Sequence, residues 1–362
     1  MRPNNEPVIG LDHQYDPLEP HRFALDTDSE YVGQGTYGTV YRALDYRQND
    51  KIVAIKAQKL GRPDSMLRAM QRQEAFIHAS ISSHPYIVTL HGAYVDDENL
   101  YHAMELVEGT DLYDAAAGGI LAGQTELIRE GFLQMIAALR AMHDKGFYHR
   151  DIKPENILVS ADGRSWRLCD FGLASANETS RWSGWGTDGY RAPECPSGEY
   201  RNEPADVWAL GVTLFVAVTK CAPWGEAKPE DPCYRAFLKD GPKYLLRAAN
   251  LTPEFYRLVQ RFFEVDPERR ITLHEAEVAL RSLMAFTMDE AVDLDSYLQF
   301  RLPATLDPPA QQTPSLAISS TSSQSSMSFD TPSPHSRRPI PSKRILTEEL
   351  DALHLADGIL VA

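Results

Sequence analysis

Cysteine is scarce in this chain, which has four cysteines among its 362 residues. Cys169, Cys195, Cys221 and Cys233 are scattered along the sequence, and no two of them form a C-x-x-C pair. This spacing argues against a disulfide framework and against a zinc site. We expect four reduced thiols.

Long hydrophobic runs are also absent. The best candidate, residues 207–218, is too short to span a bilayer and is flanked by Asp206 and Lys220, so it predicts a buried helix. Residues 1–6 lack the apolar core of a secretory signal and the glycine that myristoylation needs. We expect a cytoplasmic or nuclear protein with no membrane partner.

Basic residues are in deficit. The chain has 36 Lys and Arg against 51 Asp and Glu, a net charge of −15. Such a surface repels nucleic acid and acidic membranes and attracts basic peptides, so we expect no nucleic-acid partner. Charge alone leaves open whether a basic partner binds, because many acidic proteins bind none.

The sequence is richest in information at residues 149–156, His-Arg-Asp-Ile-Lys-Pro-Glu-Asn, which are followed by Asp-Phe-Gly at 170–172. Asp151 is suited to orient and deprotonate a hydroxyl. Asn156 and Asp170 offer hard oxygens to Mg²⁺ that bridges the phosphates of ATP. Together these residues predict transfer of a phosphoryl group from ATP to a hydroxyl.

A nucleotide site is also indicated upstream. Residues 31–40 fit G-x-G-x-x-G-x-V, in which glycines let backbone amides approach phosphate. By itself the pattern is weak and favours a plain glycine hairpin. Val-Ala-Ile-Lys at 53–56 predicts a strand that places Lys56 beside the phosphates, and the predicted helix over 63–82 carries Glu74 as its carboxylate partner. A solvated lysine and a surface glutamate are the alternatives.

These motifs together resemble a eukaryotic protein kinase over residues 23–286. Residues 186–194 are similar to the end of an activation segment, and 206–211 to the start of a buried central helix. Arg270 is similar to the arginine that pairs with the glutamate of the Ala-Pro-Glu motif, here Glu194.

The resemblance implies an α+β, two-lobed protein-kinase-like fold. A small antiparallel-sheet N-lobe with one helix would span 23–105, with strands over 51–57, 87–94 and 99–105, and a larger helical C-lobe would span 106–286. The 43% of hydrophobic residues suffices for such a core without a second globular domain.

The flanking segments are predicted from composition. We expect an N-terminal extension (1–22), a connecting segment (287–302) and a disordered tail rich in Pro, Ser and Thr (303–344). The tail carries a basic cluster at 337–344 that fits a solvated linker or a nuclear-import signal. Residues 345–362, with leucines at helical spacing, predict a C-terminal docking helix.

The resemblance also assigns roles to single residues. It implies ATP and Mg²⁺ as cofactors and protein substrates as partners. The catalytic set is Asp151, Lys153, Lys56, Glu74 and Thr187; the nucleotide set is Gly33, Gly35, Gly38, Val40, Ala54, Lys56, Met104, Glu105, Val107, Asp111 and Leu158; and the metal set is Asn156 and Asp170.

The substrate class follows from the same loop. Lys153 and the sequence Lys-Pro-Glu-Asn resemble serine/threonine kinases, and residues 223–224, 234–238 and 270–273 resemble a fungal group of kinases that regulate meiosis and nutrient response. Glu155 and Asp111 stand where arginine-directed relatives hold a guanidinium, which predicts a basic sequence context in the substrate.

Two departures from the family pattern concern regulation. His78 replaces an apolar residue in the stack with Leu90, His149 and Phe171, and a polar member is expected to loosen the active state. Trp185 stands before Gly186, where the family commonly has a small or thiol residue, and this departure concerns the shape of the substrate-facing loop.

We expect phosphorylation of Ser183, by an upstream kinase or by autophosphorylation, to order the segment 174–186 by pairing with Arg150. The alternative is that Trp182 and Trp185 hold the segment by packing alone.

Three function classes are compatible with parts of this pattern. An active protein serine/threonine kinase explains every charged motif position. A pseudokinase scaffold would lack at least one of Lys56, Asp151, Asn156 and Asp170, and a small-molecule kinase would lack the Ala-Pro-Glu segment and Arg270. The sequence predicts the active protein kinase.

Overall fold

The computed structural model describes residues 22–25, 32–35, 38–95, 98–121, 123–181, 184–241, 243–248 and 250–288, and the backbone of 338–339 and 343–344. The predicted C-terminal helix, Trp182, Ser183 and almost all of the predicted extension and connecting segment lie outside the described residues.

The N-lobe, residues 22–105, is an antiparallel sheet with one helix. Its long strand contains Ile52, Val53 and Ile55, β-branched residues that favour extended structure. The elements are β1 (Phe23–Leu25), β2 (Gly33–Gly35), β3 (Gly38–Asp45), β4 (Lys51–Lys59), α1 (Met66–Ile81), β5 (Leu90–Val95) and β6 (Asn99–Glu105). Phe23, Ala43, Val53, Ile55, Tyr94 and Ala103 form its buried core.

One predicted strand begins later than expected. The pattern over 87–94 predicts a single strand, but β5 begins at Leu90. Ile87 forms a bridge with Leu168, and the Val88 amide donates to the Leu168 carbonyl at 2.9 Å. These residues therefore join the N-lobe to the rest of the chain, because their backbone groups find partners there rather than in the sheet.

The C-lobe, residues 109–288, is mainly helical. Its elements are β7 (Gly109–Asp111), α2 (Leu112–Ala117), α3 (Thr125–His143), β8 (Ile157–Ser160), β9 (Trp166–Leu168), β10 (Thr179–Ser180), β11 (Tyr200–Arg201), α4 (Asn202–Thr219), α5 (Pro232–Asp240), α6 (Lys243–Ala248), α7 (Pro253–Phe262) and α8 (Leu273–Ser282). The stretch 207–218 lies in α4 and is mostly buried, as its composition predicts. The two-lobed α+β fold is confirmed.

Two short tail segments pair with the N-lobe sheet, although the tail is predicted to be disordered. β12 (Arg338–Pro339) pairs with β1, and β13 (Lys343–Arg344) pairs with β5. The edge of a sheet binds another strand through backbone hydrogen bonds. The prediction of disorder was based on the low hydrophobicity of the side chains, which does not affect these backbone bonds.

Two negative expectations can be compared with the described residues. All four cysteines are free thiols in the structure. Among the residues described, no helix has the length and apolar character required to cross a bilayer.

Candidate active site

A buried ion-pair network connects the two lobes. Lys56 Nζ, in the middle of β4, lies 2.8 Å from Glu74 Oε1 on α1 and 2.7 Å from Asp170 Oδ1. α1 begins at the N-cap Ser65, whose hydroxyl accepts from the Arg68 amide, and it turns Glu74 toward the sheet. The structure thus brings together three residues separated by up to 114 positions.

The charges of this network follow from its geometry. Burial alone would lower the pKa of Lys56, but the carboxylates of Glu74 and Asp170 outweigh it and raise that pKa. Burial alone would raise the pKa of Glu74 and of Asp170, but the Lys56 ammonium lowers both. All three groups are therefore charged at neutral pH.

The Asp151 carboxylate is held by four donors. Oδ1 accepts from the Thr187 amide at 3.0 Å and from the Thr187 hydroxyl at 2.8 Å. Oδ2 accepts from Asn156 Nδ2 at 3.1 Å and lies 2.8 Å from Lys153 Nζ. Lys153 Nζ also donates to Thr187 Oγ1 at 2.8 Å. The loop at 149–156 and the end of the activation segment therefore meet at the Asp151 carboxylate.

Asp206, in α4, holds the backbone of the loop at 149–156, a role that the sequence did not predict. Its two carboxylate oxygens accept from the backbone amides of His149 at 2.9 Å and Arg150 at 2.8 Å. Burial would raise the pKa of Asp206, but its hydrogen bond with His143 lowers it. The sequence signal for this role was a single carboxylate next to the apolar run of α4, because a carboxylate buried there needs hydrogen-bond partners.

The predicted nucleotide-binding residues come from both lobes. Ala54 of β4 pairs with Met104 of β6, and Val40 lies opposite Lys56. Leu158 lies on β8, and Asp111 caps α2 by accepting from the Asp114 amide at 2.8 Å.

The segment after β6 connects the lobes. Glu105 ends β6, and its side chain accepts from the Thr89 amide. Within the described residues, Val107 has no backbone hydrogen bond, so its N–H and C=O are available to a ligand.

The glycine-rich turn contains one glycine that the packing requires. A Cβ on Gly38 would lie 2.3 Å from the Ala57 carbonyl oxygen, and its φ is +155°. A Cβ on Gly33 would meet no atom within 4 Å, so that side of the turn is open. Gly35 pairs with Gly38 in the β2–β3 hairpin.

His78 does not leave an unsatisfied polar group in the stack around Phe171. Its ring lies 4.6 Å from Phe171, and its Nε2 lies 2.7 Å from the Val88 carbonyl oxygen. Burial lowers the pKa of His78 to about 4, so the ring is neutral at physiological pH. The expected loosening therefore has no basis in these contacts.

The end of the activation segment is tied to the C-lobe by a buried ion pair. Arg270 Nη1 and Nη2 donate to Glu194 at 2.6 and 2.9 Å, and the guanidinium lies 4.9 Å from the centre of the Trp208 ring. The structure brings together the two residues that the resemblance pairs.

Comparisons with known proteins agree with this arrangement. The model of the protein kinase domain matches residues 27–279. A negative regulator of sexual conjugation and meiosis from Schizosaccharomyces pombe is 34% identical, with 67% of this chain and 57% of the relative covered.

Two plant kinases are also similar. CBL-interacting protein kinase 5 from Oryza sativa subsp. japonica is 32% identical, covering 67% of this chain and 52% of the relative. CBL-interacting serine/threonine-protein kinase 20 from Arabidopsis thaliana is 30% identical, covering 67% and 55%.

The chain spans 52–57% of the length of these relatives. The fungal relative confirms the predicted resemblance to kinases that regulate meiosis. Because the domain model covers most of the chain and the relatives are kinases and a fungal regulator, this chain belongs to the protein kinase domain family.

Proposed function

We propose that this chain is an ATP-dependent protein serine/threonine kinase, which transfers the γ-phosphoryl group of ATP to serine or threonine hydroxyls of protein substrates. The observation that supports this proposal most directly is the Asp151 carboxylate held beside Lys153, Asn156 and Thr187. Its proposed domain is 23–286, with the lobes divided between 105 and 106.

The proposed roles follow from the contacts of each residue. Asp151 orients the substrate hydroxyl and accepts its proton. Lys153, which contacts both Asp151 and Thr187, neutralises charge on the transferred group. Lys56, fixed by Glu74, contacts the nucleotide phosphates.

The donor set also fits Mg²⁺. Asn156 donates through Nδ2 to Asp151, which leaves its oxygen free, and Asp170 uses Oδ1 toward Lys56. Asn156 and Asp170 would hold Mg²⁺ together with phosphate oxygens of ATP. Bound Mg²⁺ supplies charge stabilisation to the phosphates.

The experiment that tests the activity is incubation of the purified full chain with Mg-ATP and an arrayed peptide library. We expect phosphate on serine and threonine peptides, and none from Asp151→Asn. Equal labelling by both proteins would contradict the proposal, as would labelling confined to tyrosine. A folded wild type that labels nothing would favour a scaffold.

We further propose that substrates carry arginine on the amino-terminal side of the target. Glu155 is exposed, and it has no ion-pair partner within the part of the chain that the structure describes. A free carboxylate four residues from Asp151 can pair with a guanidinium. In the same library, Glu155→Gln should lose the arginine preference. Glu230→Gln, a change at another exposed glutamate, should keep that preference. A proline-directed or acidic preference of the wild type would contradict this proposal.

Regulation and location are also proposals. The two plant relatives are named for an interaction with CBL, and by analogy residues 345–362 are proposed to dock a regulator or the kinase domain itself. Truncation after Ser342 should then remove a pull-down partner or change activity. A cytoplasmic or nuclear location is a further proposal.

A further inference from the structure

Arg150 is a partly buried cation that has no carboxylate partner among the residues that the structure describes. Its backbone has a φ of +68° and is held by the bond from its amide to Asp206. Among the residues described, no carboxylate forms an ion pair with its guanidinium, and its buried Nε has no hydrogen-bond partner. A cation in such a place needs compensation from another source.

Aromatic rings surround this guanidinium. Its Cζ lies 5.8 Å from the centre of the Trp185 ring, within the range of cation–π attraction. Tyr200 lines the same pocket and interacts with Arg150 through its hydroxyl. Partial burial strengthens the attraction between a cation and the negative face of a ring.

The backbone after Trp185 leads directly to the catalytic carboxylate. Gly186 has a φ of +88°, and a Cβ there would lie 2.8 Å from the Arg150 carbonyl oxygen, so the two backbones are in close contact. The next residue, Thr187, donates twice to Asp151. Trp185 therefore lies two residues before the side chain that donates to Asp151.

The earlier part of the segment is fixed by protein groups as well. Thr179–Ser180 pairs with Tyr200–Arg201, and Ser180 Oγ donates to Asn202 Oδ1 at 2.9 Å. Asn202 Nδ2 donates to the Asn177 carbonyl at 2.8 Å. Residues 177–180 therefore have hydrogen-bond partners in β11 and α4.

We infer that Trp185 is a positioning residue, whose indole compensates the Arg150 cation and holds Gly186 and Thr187 against Asp151 without a phosphate on Ser183. The inference rests on the proposed kinase activity and selects the packing alternative over the phosphate switch. Phosphorylation of Ser183 in this chain would then not be needed for turnover.

The test compares phosphatase-treated full-length proteins, with removal of phosphate checked by mass spectrometry. Treated wild type and Ser183→Ala should keep the kcat of untreated wild type within about twofold. Trp185→Ala should lower kcat by about tenfold, a factor between those expected for an exposed and for a desolvated cation–π contact, with the KM for ATP unchanged. Trp185→Phe should restore most of kcat, since it keeps an aromatic face.

Arg181→Ala is the matched control in the same segment, because its ion pair with Glu199 is largely exposed. It should stay within about twofold of wild type. Loss of activity on phosphatase treatment or in Ser183→Ala would overturn the inference, even if Trp185→Ala fails to fold. Wild-type kcat in Trp185→Ala would do so too, whereas an inactive untreated wild type would instead refute the proposed activity.

Discussion

The two aspartates of the site differ in their contacts and should differ in their mutants. Asp151 binds other protein groups through both oxygens, whereas Asp170 contacts Lys56 and is proposed to face the metal. Asp151→Asn should lower turnover by about 100-fold or more while ATP binding stays nearly intact. Asp170→Ala should also abolish metal-dependent ATP binding, measured by calorimetry with and without Mg²⁺.

Asp162→Asn controls for loss of a carboxylate, because Asp162 is exposed and bonds only to its own turn among the described residues. It should leave both measurements unchanged. Small, equal losses in Asp151→Asn and Asp170→Ala would contradict their separate roles.

Lys56 has a natural control three residues along the same strand. Lys56 is buried between two carboxylates, whereas Lys59 is 76% exposed and pairs with Glu98. Lys56→Met should lower turnover by about 100-fold or more, because the phosphates lose their ammonium contact. Lys59→Met should stay within about twofold. Full activity of Lys56→Met would mean that another lysine performs this role.

His78 predicts a pH dependence of stability. The pKa of His78 is about 4 in the folded chain, below the value of about 6.5 for an unfolded histidine. Between these values the unfolded chain binds more protons, so the free energy of unfolding falls as pH falls, by up to about 1.4 kcal/mol per unit.

Urea unfolding between about pH 7 and about pH 5 measures this slope. His78→Leu keeps an apolar volume and should flatten the slope, although His102, whose pKa is also lowered by burial, remains in the variant. An unchanged slope in His78→Leu would show that the titration of His78 is not coupled to unfolding.

At the scale of elements, the activation segment is fixed to the C-lobe helices through Arg270. The Arg270 side chain is fully buried and contacts Glu194 with two bonds, in front of the Trp208 ring of α4. Arg270→Met should lower the free energy of unfolding by about 3–5 kcal/mol, because Glu194 is left without its partner.

The adjacent Arg269 is the control, since it is 73% exposed and lies 3.9 Å from Glu264. Arg269→Met should change stability by less than about 1 kcal/mol in the same urea titration. Similar losses in both variants would mean that the Arg270 pair makes no special contribution.

At the scale of the molecule, the net charge of −15 predicts attraction of basic substrates. If substrates are basic, raising the salt from about 0.05 M to about 0.3 M shortens the screening length and should raise the KM for an arginine-containing peptide several-fold. The KM for ATP and for a neutral peptide provide controls. Equal salt dependence for the basic and the neutral peptide would exclude steering by the surface charge.

The fold was largely predictable from local patterns. The strand over 99–105 coincides with β6, and the helix predicted over 63–82 is found at Met66–Ile81. The late start of β5 and the pairing of β12 and β13 were not predictable, because a strand partner is chosen by the whole sheet.

The sequence alone determined which charged groups form the site, because the loop at 149–156 is contiguous and brings Asn156 to Asp151 within five residues. The tertiary structure decided the contacts between distant segments. These are the bond from the Arg150 amide to Asp206, the contact of His78 with the Val88 carbonyl, and the contact of the Trp185 ring with Arg150. Such contacts depend on how helices and loops pack across long stretches of chain, and local propensity carries no information about them.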